Sequence, residues 1–286
     1  MPTRRLGRTG HMSSVAVLGG AAFWGTDPEI TGRAFHAALD AGVNHLDVAP
    51  QYGRAQELLG PFVPPVRDRL FVACKSLRRA RDEVRAQLEE SLTLLGCDSF
   101  DLYQLHAVTD LAELDARAGA VEAIMAARDE GLCRYAGITG HELTTPAAQH
   151  EALRRYDLDT VMFPVNPRLW ADPDYRRDAE ALLELAAARD VGVMAIKAVA
   201  ARPWGSGKRA TTTWYEAYTD DEGVERGVRF VLSVPGVHAL CTPSDLGLAS
   251  RVIDVARRFA PMEDDELVAA SASVAQEQHI FPMPRG

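Results

Sequence analysis

The stretch "LFVACKSLRRARDEVRAQLEESLTLLGCDSFDLYQLH", Leu70 to His106, holds two short apolar runs on either side of a helix-period segment. The runs at 70–74 and 101–106 read as strands. Between them Val84, Leu88, Leu92 and Leu95 recur at helical spacing, and Gly96 follows as a stop. Strand, helix and strand joined by short loops imply two parallel strands with the helix packed outside them.

The same alternation continues in both directions. Strands are expected near 15–19, 43–48, 134–138, 160–164, 191–196 and 237–241, and helices at 28–41, 55–60, 117–130, 145–155, 174–189, 223–233 and 246–259. That makes about eight strand-then-helix units. A length of 286 residues would suggest two domains at ~150 residues each, yet closed α/β barrels run to ~250 residues as one. The strands are nearly continuous in apolar residues, as burial on both faces requires. No GxGxxG follows the first strand, which argues against a Rossmann domain. There is no tandem repeat and no Pro/Ser-rich linker. The expectation is α/β, a single (β/α)8 TIM barrel spanning residues 1–286. "RRLGRTGHMS" within segment 1–14 reads as a β-hairpin plugging the barrel bottom. The segment 201–220 reads as a long lid or binding loop.

Composition narrows the partners. Forty acidic against 31 basic residues give a formal charge of −9, which disfavours nucleic acid or an anionic membrane. Cys74, Cys97, Cys133 and Cys241 are scattered without CxxC or paired Cys/His spacing, as in buried thiols of a reducing compartment. The apolar run Val15–Leu18 is too short for a signal peptide, and no run approaches the ~20 residues of a membrane helix. A cytoplasmic protein is expected.

Reactive residues of such barrels lie at the carboxyl ends of the strands and in the loops that follow. Asp47 closes the second strand and Tyr52 lies in the loop behind it, while Lys75 ends the third strand and His106 the fourth. Each alone has an ordinary reading: a helix cap, a packed ring, a solvated amine, a structural imidazole. Their placement at three successive strand ends points to one shared site. A lysine ammonium beside a phenol favours the phenolate. At ~4 Å and an effective dielectric of ~20 the attraction is ~4 kcal/mol, enough to bring the phenol within reach of neutral pH at ~1.4 kcal/mol per pKa unit. Asp47 would hold Lys75 charged and in position, and His106 would orient a substrate oxygen or share its proton. The set is a proton donor and acceptor for a carbonyl/alcohol pair. It holds no electron source, so reduction needs hydride from a cofactor.

These residues resemble the aldo-keto reductase superfamily. "NHLDVAPQYG…ELLG" resembles its aspartate–tyrosine segment, "FVACKS" its lysine strand and "DLYQLH" its histidine strand. "RRLGRTG…LGG…FWG", "GITGH", "VMFPVN" and "RGVRFVLSVPGV" match further segments in order, covering nearly the whole chain. The resemblance implies NADPH, or less often NADH, across the barrel mouth, with Tyr52 as the acid/base, Asp47 and Lys75 tuning it and His106 orienting the carbonyl. Its cofactor contacts fall on Gly20, Thr139, Asn166, Lys197, Thr242, Ser244 and Arg251. Thr139–Gly140 stands where the resemblance has a serine–asparagine pair, and Met162 where it has glutamine, with Asn166 as the substitute. The nicotinamide-stacking position falls on Ile196 or Lys197, with Trp204 or Trp214 as alternatives from the loop. Substrate contacts are expected from Trp24, His141, Trp170, Trp204 and the 201–220 loop, whereas His45 points into the barrel core as a structural residue.

The expected partner is a small-molecule carbonyl compound, and the expected assembly a monomer or weak homo-oligomer. Two rivals are a non-catalytic nicotinamide-binding redox-sensing module and a metal-dependent hydrolase using His45, Asp47, His106 and His141. The latter lacks the HxH or HExxH spacing such sites use. "GSGK" at 205–208 lacks the glycine at 202 and the Ser/Thr at 209 of a phosphate loop.

Overall fold

A computed structural model describes residues 1–281. Eight parallel strands close into a barrel: Ala16–Gly19, His45–Asp47, Phe71–Ser76, Phe100–Leu105, Cys133–Thr139, Thr160–Pro164, Gly192–Ile196 and Ala239–Cys241. They are called the first to eighth barrel strands below. The eighth pairs with the seventh through Leu240↔Ala195 and with the first through Leu240↔Ala16, which closes the ring. Helices Pro28–Asp40, Arg81–Leu95, Ala118–Asp129, Thr145–Arg155, Pro173–Ala188, Asp221–Ser233 and Leu246–Arg257 surround it.

Side chains alternate across each strand, so strand parity sorts the sequence into barrel interior and outer shell. Val17, Phe71, Ala73, Leu102, Met162, Met194, Ile196 and Ala239 fill the interior with Leu6. The opposite parity packs beneath the helices, where Val84, Leu88, Leu92 and Leu95 of one helix are all buried. Helix starts were written in the sequence as aspartates. Asp27, Asp110, Asp172, Asp220 and Asp245 each accept a backbone N–H from the first turn.

The expected hairpin is present: Thr3–Arg5 pairs antiparallel with Met12–Ser14. Its turn inserts Leu6, fully buried, into the amino-terminal end of the barrel. Gly7 has φ +50°, and a Cβ there would collide with the backbone of Asp190 and Gly192, so only glycine lets the plug seat. Arg5 pairs with Asp190 at 2.6 Å and Arg8 with Asp159 at 2.8 Å, fixing it from outside.

Several features lay outside the sequence reading. Short helices form at Leu111–Asp115 and Pro167–Trp170, and a longer one, Asp264–Ser273, follows the eighth unit. The helix expected at 55–60 is present as Ala55–Leu59; the 3-10 turn at Pro64–Arg69 that comes after it was not expected. The 201–220 segment is not a free loop throughout. Ala200–Arg202 pairs with Glu216–Ala217 at its base, and Thr212 hydrogen-bonds through its hydroxyl to the Ser244 carbonyl at 2.9 Å.

Candidate active site

Strand parity and register bring the polar residues together at the carboxyl end. Asp47 lies beside Ala73, and Lys75 beside Gln104, in adjoining strands with inward-facing parity. Lys75 donates to one oxygen of Asp47, and Gln104 Nε2 donates to the other at 3.1 Å. Both charged residues are almost wholly buried. Gly137 makes room for Gln104, because a Cβ there would stand 3.1 Å from its Cγ and closer still to Thr160.

The Lys75 ammonium lies 5.5 Å from the centre of the Tyr52 ring. Tyr52 faces His106 edge-on at 6.0 Å. Its backbone N–H reaches the Ala49 carbonyl, and Gly53 behind it turns at φ +56° against Trp24. The four residues named from the sequence thus share one mouth. His106 engages Gln51 Oε1 through Nδ1 at 3.2 Å, which leaves Nε2 for the chamber that His106 lines.

Electrostatics departs from the expectation in one respect. Burial raises the Tyr52 pKa above its ordinary range; the pull of Lys75 opposes this but does not overcome it, and Asp47 adds to the rise. The expected fall toward neutrality therefore does not occur, because the low-dielectric site that strengthens the lysine's attraction also penalises the phenolate. The phenol stays protonated, loaded as a donor, throughout the neutral range. Burial works against the charge of Lys75, but Asp47 outweighs it and holds the ammonium charged. Burial, with Lys75 next in effect, keeps the His106 imidazole neutral far below its ordinary pKa.

Two spaces meet at Tyr52. The outer one is a chamber of about 430 Å³ between Trp24, Tyr52, His106, His141, Trp214 and the C-terminal residues Ile280 and Phe281. The inner one is a narrow cleft along Gly19, Thr139, Met162, Ile196, Tyr215, Thr242 and Ser244. Lys197 borders both. Trp24 and Trp214 flank the entrance, 52% and 54% exposed. Ala107 and Lys197, at the chamber wall, have φ of 59° and 66°. Non-glycine residues held there cost ~1–3 kcal/mol each and cluster at functional sites.

The remaining sequence-derived residues divide. Thr139, Thr242 and Ser244 line the cleft, and Trp24 and His141 the chamber. Gly20 packs against Val48 beside the cleft. Asn166 is fully engaged in structure, since its Oδ1 caps the helix at Leu169 and its Nδ2 donates to the Lys197 carbonyl at 3.2 Å. Arg251 faces Asp221 at 2.7 Å instead of the cleft. Trp170 packs against Phe230 at 6.3 Å and borders a separate groove, while Trp204 is held within its loop by the Thr213 carbonyl. His45 bonds Ser13 at the plugged end, as its structural reading required, so the four-residue metal set is split between opposite barrel ends. Among the described residues no group of three His, Cys, Asp or Glu side chains is placed to hold a metal ion.

Sequence reasoning missed Gln51, Gln104, Glu142, Tyr215, Ile280 and Phe281. For Gln104 the signal existed: it has the parity of His106, two residues earlier on the same strand. Ile280 and Phe281 carried none, because they reach the mouth from beyond the eighth unit, tethered by Arg168 to the Glu277 carbonyl.

The fold is a closed parallel barrel with a plugged amino end and an Asp–Lys–Tyr–His cluster at its open end. The family model "Aldo/keto reductase family" matches residues 16–258, and the chain belongs to that family. Among curated relatives, the uncharacterized oxidoreductase YqkF of Bacillus subtilis is 28% identical over 189 residues, 59% of this chain and 60% of the relative. The 6-dehydroglucose reductase of Novosphingobium aromaticivorans is 33% identical over 132 residues, 38% of this chain and 42% of the relative. The matches thus span less than two thirds of these relatives' length. Similar solved folds include the holo form of an aldo-keto reductase from Bacillus halodurans, with TM-score 0.73 at 20% identity over 98% of both chains. A Bombyx mori aldo-keto reductase in complex with NADP gives TM-score 0.69 at 20% identity, covering 99% of this chain and 95% of the other. Among the described residues no helix is long and apolar enough to cross a membrane.

Proposed function

We propose that the protein reduces an aldehyde or ketone to an alcohol, or runs the reverse oxidation, with NADPH or NADH. The observation that carries this reading is the buried Lys75–Asp47 pair beneath a protonated phenol at a chamber wall. A bound nicotinamide cofactor would supply the hydride to the carbonyl carbon. Tyr52 donates its proton to the carbonyl oxygen as negative charge grows there. Lys75, kept charged by Asp47, stabilises the phenolate as it forms, so its attraction counts most in the transition state. His106 is neutral, and with its one proton on Nε2 it donates to and orients the carbonyl oxygen. Nδ1 is then an acceptor, and the Gln51 side-chain amide turns to present its N–H there in place of Oε1.

The lining of the narrow cleft suits a flat heterocycle with a polar tail, which would have to widen it on entry. The Tyr215 and Trp214 rings offer planar faces, and Thr139, Thr242 and Ser244 offer hydroxyls around the cleft. Among the described residues His141 Nδ1 is buried there without a hydrogen-bond partner, a polar atom that a ligand amide would satisfy. The family resemblance implies NADPH, or less often NADH.

The test is to incubate the protein with NADPH or NADH and a panel of aldehydes and ketones, following cofactor absorbance and identifying the alcohol formed. Turnover with stoichiometric alcohol supports the reading. Tight cofactor binding with no turnover on any carbonyl would replace it with the redox-sensing module.

A further inference from the structure

Lys197 follows the seventh barrel strand; the family resemblance places it on the cofactor, but it borders the outer chamber as well as the cleft. Its backbone is held in the left-handed region by two hydrogen bonds to its carbonyl, from Asn166 Nδ2 at 3.2 Å and from the Ala200 amide at 3.1 Å. A lysine at a position that favours glycine indicates that the side chain itself is wanted there. Its ammonium sits between the Tyr215 and Phe281 rings, 5.4 Å from each centre. Among the described residues it has no hydrogen-bond acceptor and no carboxylate within 4.0 Å. The half-buried cation is therefore served only by aromatic faces, which stabilise it less than a paired anion would.

The neighbours decide which space the ammonium serves. Phe281 and Glu142 line the outer chamber and not the inner cleft, and Tyr215 lines both. The nearest acid, Glu142, is half-buried, and burial makes its carboxyl harder to ionise. It exerts a long-range pull on Lys197 without forming an ion pair. The chamber thus presents an unpaired cation at one wall and the proton-donating phenol at another.

We propose that Lys197 selects the substrate, binding a carboxylate or similar anionic group carried by the carbonyl compound in the outer chamber. The inference rests on the carbonyl-reducing function given above and names the class of compound that site takes. The substrate is then an oxo acid or an aldehyde acid, its carbonyl at Tyr52 and its anionic end at Lys197. Glu142 tempers the preference, since it places a competing negative charge near the same ammonium.

The electrostatics adds a pH signature. Burial lowers the Lys197 pKa to about 8, with Glu142 opposing the fall. The other groups facing the chamber hold one state through that range. His106 and His141 are kept neutral by burial, Tyr52 and Tyr215 protonated by burial, and Lys75 charged by Asp47. Cys241, at the cleft, stays a thiol for the same reason. The selectivity should therefore fade as pH rises from 7 to 9 and Lys197 loses its charge.

The experiment compares 4-formylbenzoate with its neutral methyl ester on wild type, Lys197→Met and Glu142→Gln. It measures kcat/KM for each aldehyde, aldehyde binding by quenching of tryptophan fluorescence, and NADPH affinity. Wild type should favour the anion by at least about tenfold. Lys197→Met should erase that preference, leaving the ester within about twofold and NADPH affinity unchanged. Glu142→Gln should enlarge it. Equal losses on both aldehydes, or weakened NADPH binding in Lys197→Met, would place the lysine on the cofactor and overturn the proposal. So would a wild type that does not distinguish the two aldehydes in binding. Binding of the anion that depends on Lys197 without any reduction would sustain the anion site while removing the reductase reading.

Discussion

The two ends of the barrel place similar chemistry in opposite service. On the second strand, His45 and Asp47 stand two residues apart with the same inward parity. His45 lies at the plugged end, bonded to Ser13 Oγ at 2.9 Å and packed against the Phe71 ring at 4.6 Å. Asp47 lies at the open end beneath Tyr52. Burial holds both His45 and His106 neutral. At the plugged end that neutrality only lets the core close; at the mouth, His106 borders a chamber where a substrate oxygen can reach it. The difference is one of access: burial holds both imidazoles neutral, and only the one at the mouth borders open space.

The comparison can be broken first at the mouth. Lys75→Met should leave the Asp47 carboxylate buried and unpaired, costing ~3–5 kcal/mol of stability and reducing turnover by ~10²-fold or more. Chemical denaturation and steady-state kinetics measure the two. Adding Asp47→Asn should recover most of the stability and none of the activity; recovery of activity would mean the pair serves the fold alone.

At the plugged end, Leu6→Ala should cost ~2–5 kcal/mol through the cavity it leaves, with kcat per folded molecule unchanged. A matching loss of kcat would show that the two ends are mechanically coupled.

A smaller effect concerns acid stability. At the plugged end the His11 ring lies 5.9 Å from that of His45, and burial above all lowers the pKa of both from an ordinary 6.5, with His11 adding to the fall of His45. Below pH 6.5 the unfolded chain binds protons that the folded chain refuses, so their contribution is complete above that pH and stability falls on acidification. His45→Leu should therefore show a shallower decline of Tm between pH 7 and pH 5. An unchanged slope would assign the acid sensitivity elsewhere.

The smallest effect is expected for Arg251→Ala. An exposed ion pair contributes ~0–1 kcal/mol, so NADPH affinity should change by less than about threefold. A larger loss would return this arginine to the cofactor.

The barrel and its four mouth residues were legible because both depend on periodicity. Alternating short apolar runs and helical repeats specify βα units, and reactive groups of a barrel gather at strand ends. The hairpin was legible through the glycines of "RRLGRTG". Trp170 and Trp204 were misplaced because a single aromatic carries no directional information; their contacts are set by short helix and loop geometry. Asn166 illustrates the same limit, since its polarity is consumed by a helix cap and the Lys197 carbonyl. The direction of the Tyr52 shift was missed because charge attraction was weighed without the burial that accompanies it. Phe281 was invisible for want of any local pattern linking position 281 to Lys197.

The central claim is that Tyr52 delivers the proton. Single-turnover reduction of a saturating aldehyde by NADPH-loaded Tyr52→Phe, followed by cofactor absorbance against wild type, tests it most directly. The account predicts a rate lower by ~10²-fold or more with NADPH affinity within about twofold. A variant that keeps more than about a tenth of the wild-type rate would contradict it.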